Sequence, residues 1–224
     1  MMKTVALLIL TVIALSTSAQ NQVGIFVGPQ ATTAKYTING INQSTDTKYG
    51  FHLGGVFKVP FEGRIYFTPS AFYSMKGYKV AFNQKAYPPD TLASDNNTTL
   101  HTFEVAALLQ VDFGKKENHL FVRGGPSLDF QLKGREKFNL KNGTLVNRNM
   151  PFGFDKYGHF GANLLLQFGY ETKNGISLAA LYGHGIGNIN NADYGPSIRH
   201  RAYGLSIGKY LSRRKSTIDT HNKE

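Results

Sequence analysis

The stretch HFGANLLLQFG, residues 159–169, alternates between two kinds of side chain. Its even positions are Phe160, Ala162, Leu164, Leu166 and Phe168; its odd ones are His159, Gly161, Asn163, Leu165, Gln167 and Gly169. A period of two marks a β-strand with unlike faces. A face wetted by bulk water usually carries long charged side chains. One crowded with Gly, Ser, Ala and Asn suits the inside of a narrow closed barrel, where little volume is available. The apolar face then points outward, and an apolar exterior on a closed barrel implies lipid.

The same alternation predicts eight strands, at 22–29, 48–59, 64–80, 100–113, 119–133, 157–171, 175–187 and 199–211. In the fifth, Val122, Gly124, Leu128, Phe130 and Leu132 oppose Arg123, Gly125, Ser127, Asp129 and Gln131. The last sets Tyr203, Leu205 and Ile207 against Gly204, Ser206 and Gly208. Connections at 60–63, 114–118 and 172–174 are tight, with Gly, Pro, Asn and Lys, whereas those at 30–47, 81–99, 134–156 and 188–198 are long and polar. Short and long alternate, as periplasmic turns and extracellular loops do in an outer-membrane barrel. Pro69 and Pro126 fall inside strands, where a ladder donor is lost, and are expected at bulges or bends. Tyr and Phe gather where apolar faces end, as amphipathic rings at headgroup level would. The predicted fold is all-β: an eight-stranded antiparallel up-and-down transmembrane β-barrel after a cleavable N-terminal signal peptide.

The ends frame this domain. Lys3 followed by the apolar run 5–15 and by Thr17, Ser18 and Ala19 reads as an export signal. The run is too short for a membrane anchor, which needs about twenty apolar residues. Residues 1–19 are thus expected to be the signal peptide, 20–211 the barrel, and 212–224, with Arg213, Arg214 and Lys215, a disordered basic periplasmic tail. The chain has no Cys, which excludes a disulfide framework in an exported protein. Its net charge of +11, less one for Lys3, leaves +10 after cleavage. For an exported chain that balance points to anionic lipid or polysaccharide, and no nucleic-acid partner is expected.

By parity Lys58, Lys76, Glu104, Asp112, Arg123 and Asp129 point into the lumen. Charges in a low-dielectric interior must be paired and hydrogen-bonded. They either fill a barrel too narrow to conduct or line a pore or binding site. His52, His159 and His200 also face inward, while His101 and His184 fall on apolar faces. No Ser, His and acid spacing stands out, so no catalytic residues are assigned and an enzyme is not expected. No metal or cofactor site is predicted either; Asp193 and His200 are too sparse for one. Lys133, Arg135, Lys137, Lys141 and Arg148, on and beside the third long loop, are candidates for binding anions, including lipopolysaccharide phosphates.

Several segments resemble the PorT-like outer-membrane β-barrel family of exported bacterial proteins. They are residues 51–55 with Phe57, 66–77, Arg123-Gly124-Gly125-Pro126, 155–161, 182–188 and 203–210. The resemblance spans nearly all of the mature chain, and its Gly- and aromatic-rich motifs are specific for architecture more than for activity. It implies an eight-stranded barrel in an outer membrane, and its named member is linked to protein secretion. The expected role is therefore structural or interactive, linked to envelope secretion or assembly machinery, with outer-membrane lipids and envelope proteins as partners. Two other readings stay open. One is a soluble, exported lipocalin-like barrel binding a small apolar ligand, which would invert the faces. The other is a narrow channel or a lipid-modifying barrel enzyme.

Overall fold

The computed structural model describes residues 21–114 and 116–211, so the expected signal peptide and basic tail lie outside the described residues. Every regular element is a strand: β1 (Gln22–Ile38), β2 (Ile41–Asn42), β3 (Ser44–Glu62), β4 (Ile65–Phe67), β5 (Ser70–Ala81), β6 (Asp95–Ala106), β7 (Leu109–Phe113), β8 (His119–Asn139), β9 (Leu145–Asn149), β10 (Phe160–Glu171), β11 (Ile176–Gly185) and β12 (Ser197–Tyr210). All pairings between these strands are antiparallel, and the sheet closes because β1 pairs with both β12 and β3. Among the described residues twelve strand segments stand where eight strands were expected, for two reasons. The first is proline. Pro69 separates β4 from β5, and Pro126 lies beside the gap between β6 and β7. Both interrupt the ladder without shifting it: Ser70 still faces Ala106 and Phe67 faces Leu109. The carbonyl oxygens of Pro69 and Pro126 accept from Phe57 N and Ala107 N, each at 3.0 Å. They are therefore gaps, not bulges.

The second reason is that the expected loop 30–47 is mostly strand and the expected loop 134–156 nearly half strand. β1 runs on to Ile38 and turns at Asn39-Gly40, whose φ values of 48° and 80° suit a two-residue hairpin turn. β8 likewise runs to Asn139 and folds back as β9 through a turn at Asn142-Gly143. The strands thus extend well past the apolar band at the long-loop end of the barrel.

The band itself faces outward. Phe160, Leu164, Leu166 and Phe168 are exposed while Asn163 and Leu165 are buried; Leu178, Leu205 and Ile207 are exposed beside them. A lipocalin-like ligand site needs the opposite arrangement, and the polar lumen excludes it. Small residues on the inner face let strands and side chains approach closely. A Cβ on Gly28 would lie 1.8 Å from the Leu205 carbonyl oxygen.

One register shift redirects a whole edge of the barrel. Between His101 and Thr102 of β6, β8 carries an extra residue, Leu132, so that His101 faces Lys133 and Thr102 faces Gln131. Such a bulge flips the side-chain alternation beyond it. Arg123, Asp129 and Gln131 are buried before it, and Gly134, Glu136 and Phe138 after it, which leaves Lys133, Arg135 and Lys137 exposed on the outer face.

Candidate functional site

Three polar clusters occupy the interior, built by side chains that parity brings together from different strands. At the short-turn end Lys58 Nζ lies 2.7 Å from Asp112 Oδ2 and 2.9 Å from Glu171 Oε2. Its ammonium also sits 4.3 Å from the centre of the Tyr66 ring. His119 Nε2 approaches the same carboxylates, at 3.1 Å from Asp112 and 3.7 Å from Glu171. Gln110 links this group to the next: its Nε2 donates to Asp112 Oδ1 (2.6 Å), and its Oε1 accepts from Arg123 Nε and Nη2 at 2.9 and 2.6 Å. Arg123 also donates to Gln167 Oε1 (3.3 Å) and to the Tyr210 hydroxyl (3.0 Å).

Further along the lumen Lys76 Nζ joins Glu104 Oε2 at 2.7 Å and Asp129 Oδ2 at 2.8 Å. The other carboxylate oxygens are also engaged. Glu104 Oε1 accepts from Ser127 Oγ at 2.5 Å and Asn163 Nδ2 at 3.5 Å, and Asp129 Oδ1 from Gln131 Nε2 at 3.3 Å. Lys76 is only 6% exposed, and Glu104 and Asp129 1% each, so this is a desolvated triad and not a wet pore lining. Gly161 leaves room for it. A Cβ there would lie 2.0 Å from Asp129 Oδ1, which accepts from Gln131 while the other oxygen of the same carboxylate is held by Lys76. Gly161→Ala is expected to push Asp129 off Lys76 and destabilise the barrel by about 1–3 kcal/mol, the usual cost of overpacking. Chemical unfolding in micelles measures it, and an unchanged midpoint would show that the aspartate can yield.

At the long-loop end a third cluster is mixed with apolar side chains. Tyr36, Ile38, Tyr78, Leu100, Met150, Tyr157, Ile189 and Ile198 pack into one buried core, with Phe82 and Phe152 against it. Inside it Glu136, fully buried, accepts from Arg148 Nε (2.6 Å) and the Tyr157 hydroxyl (2.9 Å). Arg148 Nη2 reaches the Pro89 carbonyl (2.8 Å), tying a neighbouring loop to the same group. Burial, followed by the nearby Tyr78 and Glu136, pushes the Tyr157 hydroxyl well above its ordinary pKa, so it stays a neutral donor at physiological pH. Segments that read as solvated loops thus fold inward as a cap over the mouth.

The six lumen candidates all sit inside, in these first two clusters. Sequence reasoning missed Gln110, His119, Glu171 and Tyr210, although Gln110 shares the parity of Asp112 and His119 shares that of Arg123. Among the anion candidates, Lys133, Arg135, Lys137 and Lys141 are exposed. Arg148 is exposed as well, but its guanidinium is already engaged: Nε donates to Glu136 Oε1 and Nη2 to the Pro89 carbonyl oxygen. His159 is corrected: it is exposed and not buried in the lumen, with its ring 4.8 Å from that of Phe152. His52 and His200 are buried, and their ring nitrogens have no hydrogen-bond partner among the described residues. Nor do three or more His, Cys, Asp or Glu gather there as a metal site.

An apolar exterior around a closed, charge-filled lumen defines a membrane-embedded β-barrel. The model of the family "Outer membrane protein beta-barrel domain" matches residues 18–191, and the chain belongs to that family, which places it in the bacterial outer membrane. No curated protein matches the chain. Among solved structures it is similar to Ail, the attachment invasion locus protein of Yersinia pestis, crystallised with the heparin analogue sucrose octasulfate. Identity is 13%, coverage is 86% of this chain and 99% of that one, and the TM-score is 0.44. OprG from Pseudomonas aeruginosa is 12% identical over 87% of this chain and 97% of its own, with a TM-score of 0.41. Neisserial surface protein A is 13% identical over 83% and 96%, with a TM-score of 0.40.

Proposed function

We propose that this protein is a closed outer-membrane barrel of structural and interaction type, neither an enzyme nor a channel, which presents its capped end outside the cell. The observation that carries the reading is the double closure. Buried ion-pair clusters around Lys58 and Lys76 fill the lumen, and an apolar core seals one mouth. A conducting pore needs a continuous wet path. Two aromatic rings support an interaction role. Phe154 and Tyr194 are fully exposed on loops joined by the Asn191 N to Lys156 carbonyl hydrogen bond (2.8 Å). Large apolar rings held in water at the apex suit contact with another envelope component. In keeping with the PorT-like resemblance, that component belongs to secretion or assembly machinery.

Planar-bilayer recording of the purified protein tests the closure. No unitary conductance is expected, and stable discrete openings would overturn it. Orientation is read separately, because the chain has no cysteine. Tyr194→Cys should react with a membrane-impermeant maleimide on intact cells, while Lys173→Cys, in a short turn, should not. The reverse pattern would put the cap in the periplasm.

A further inference from the structure

We infer that the outer wall of β3, β5, β6 and β8, just beyond the apolar band, binds the sugar phosphates of an outer-leaflet glycolipid of the lipid A type. This rests on the orientation proposed above. The site is made by the bulge at Leu132. That residue is still lipid-facing, at 63% exposed, and the next outward positions are Lys133, Arg135 and Lys137. Without the extra residue those three cations would point into the lumen.

The neighbouring strands complete the patch. Across the ladder His101, Thr99 and Asn97 of β6 stand opposite the three cations, and Lys79 of β5 stands opposite Asn97. Lys48 crosses the outer face of β5 where Gly77 has no side chain; a Cβ there would lie 3.0 Å from Lys48 Cδ. Its Nζ donates to Asn97 Oδ1 at 2.7 Å and Thr99 Oγ1 at 2.6 Å, which anchors it at the edge of the band. Arg135 is pre-positioned by a 2.8 Å bond from Nε to Asn147 Oδ1. Each of the Lys58, Lys76 and Arg148 side chains has a carboxylate partner in an ion pair, whereas none of these five cations does among the described residues. The nearby acids are Asp46, facing Lys79, and Asp95, which is held by Asn139 N and Nδ2.

Height and shape choose the ligand. From Lys133 to Lys137 the patch runs roughly 13 Å along the strand, a height of roughly 10 Å at the usual strand tilt. One phospholipid phosphate occupies one level, whereas a phosphorylated glycolipid carries phosphates and sugar over that span. A groove of about 360 Å³ opens between Lys79 and Lys137; Asn97 and Asn139 offer amide groups beside the cations, and Asp46 and Asp95 also line it, where they can accept from sugar hydroxyls. Lys and Arg in such a place make charge-assisted bonds to phosphate oxygens.

The test uses the full folded protein in neutral detergent with three probes: bisphosphorylated lipid A, the same lipid with its phosphates removed, and phosphatidylglycerol. Lipid A is expected to bind at least about tenfold more tightly than either comparison lipid. Lys79→Gln/Arg135→Gln/Lys137→Gln, all at exposed positions, should weaken lipid A by about tenfold or more while keeping heat-modifiable migration on gels. Lys35→Gln/Arg199→Gln, outward on β1 and β12, should change it less than about twofold. Equal losses in both variants would reduce the site to a diffuse basic collar and overturn the proposal. So would equal binding of dephosphorylated lipid A or of phosphatidylglycerol, a result that needs no variant to fold. Binding by purified protein does not depend on orientation, so its failure is distinct from failure of the cell-surface labelling.

Discussion

Lys76→Met is expected to destabilise the folded barrel by about 3–5 kcal/mol, because it strands two buried carboxylates without their shared cation. Glu104 and Asp129 are each 1% exposed, and Lys76 Nζ stands 2.7 and 2.8 Å from them. Methionine replaces the volume of the lysine stem, so packing is nearly conserved and the loss is electrostatic. Adding Glu104→Gln and Asp129→Asn removes both stranded charges and leaves side chains that still hydrogen-bond to Ser127, Asn163 and Gln131. The triple variant should therefore regain most of the loss, since a neutral buried set of similar volume is often as stable as an ion pair. Denaturant unfolding in lipid vesicles gives both numbers. A single variant within about 1 kcal/mol of the parent would mean that water reaches the triad, and the case for a desolvated, closed lumen would fail with it.

How far the sequence led depended on how local each signal was. Alternation is written residue by residue, so the facing of Phe160, Leu164 and Leu166 against Gly161 and Asn163 was readable, and with it the closed barrel and the inward charges. The partners of those charges were not readable, because pairing is a property of register between strands. Lys58 meets Glu171 from the far side of the barrel, at a sequence separation of 113 residues. The bulge at Leu132 was invisible for the same reason. It exists only relative to β6, yet it decides that Arg135 faces out while Glu136 faces in. Other misses had a local signal that went unused. Asn39-Gly40 and Asn142-Gly143 are both strong hairpin turns, and reading them as such would have converted the polar loops into strand extensions. The cap core left a fainter trace. Tyr36, Tyr78, Phe138 and Ile198 continue the inward alternation past the apolar band, where solvated loops would have no use for it.

The two closures are physically separate, which gives the last expectation its form. Tyr157→Ala should cost about 3–5 kcal/mol, the usual range for emptying a large buried aromatic site, but the loss should appear in the cap and not in the barrel. Tyr157 is fully buried among Tyr36, Tyr78, Met150 and Ile189. It also organises its loop through three contacts: its carbonyl accepts from Gly153 N at 2.9 Å, it bridges to Asn190, and its hydroxyl holds Glu136. Tyr157→Phe keeps the ring and gives up only the hydroxyl bond to the buried Glu136 carboxylate, so it should cost about 1.5–3 kcal/mol. Limited proteolysis on intact cells should then cut the 150–158 and 188–196 loops readily in the alanine variant, slowly in the phenylalanine variant and least in the parent. Barrel resistance to denaturing detergent should persist in all three, since the ladder pairings of β10, β11 and β12 do not pass through Tyr157. The alanine variant should also remain silent in bilayer recordings, because the Lys76 and Lys58 clusters still block the lumen beneath an opened cap. Conductance in that variant would place the only seal at the mouth and make the lumen clusters a selectivity lining; intact loops would show that the cap is held without its central ring.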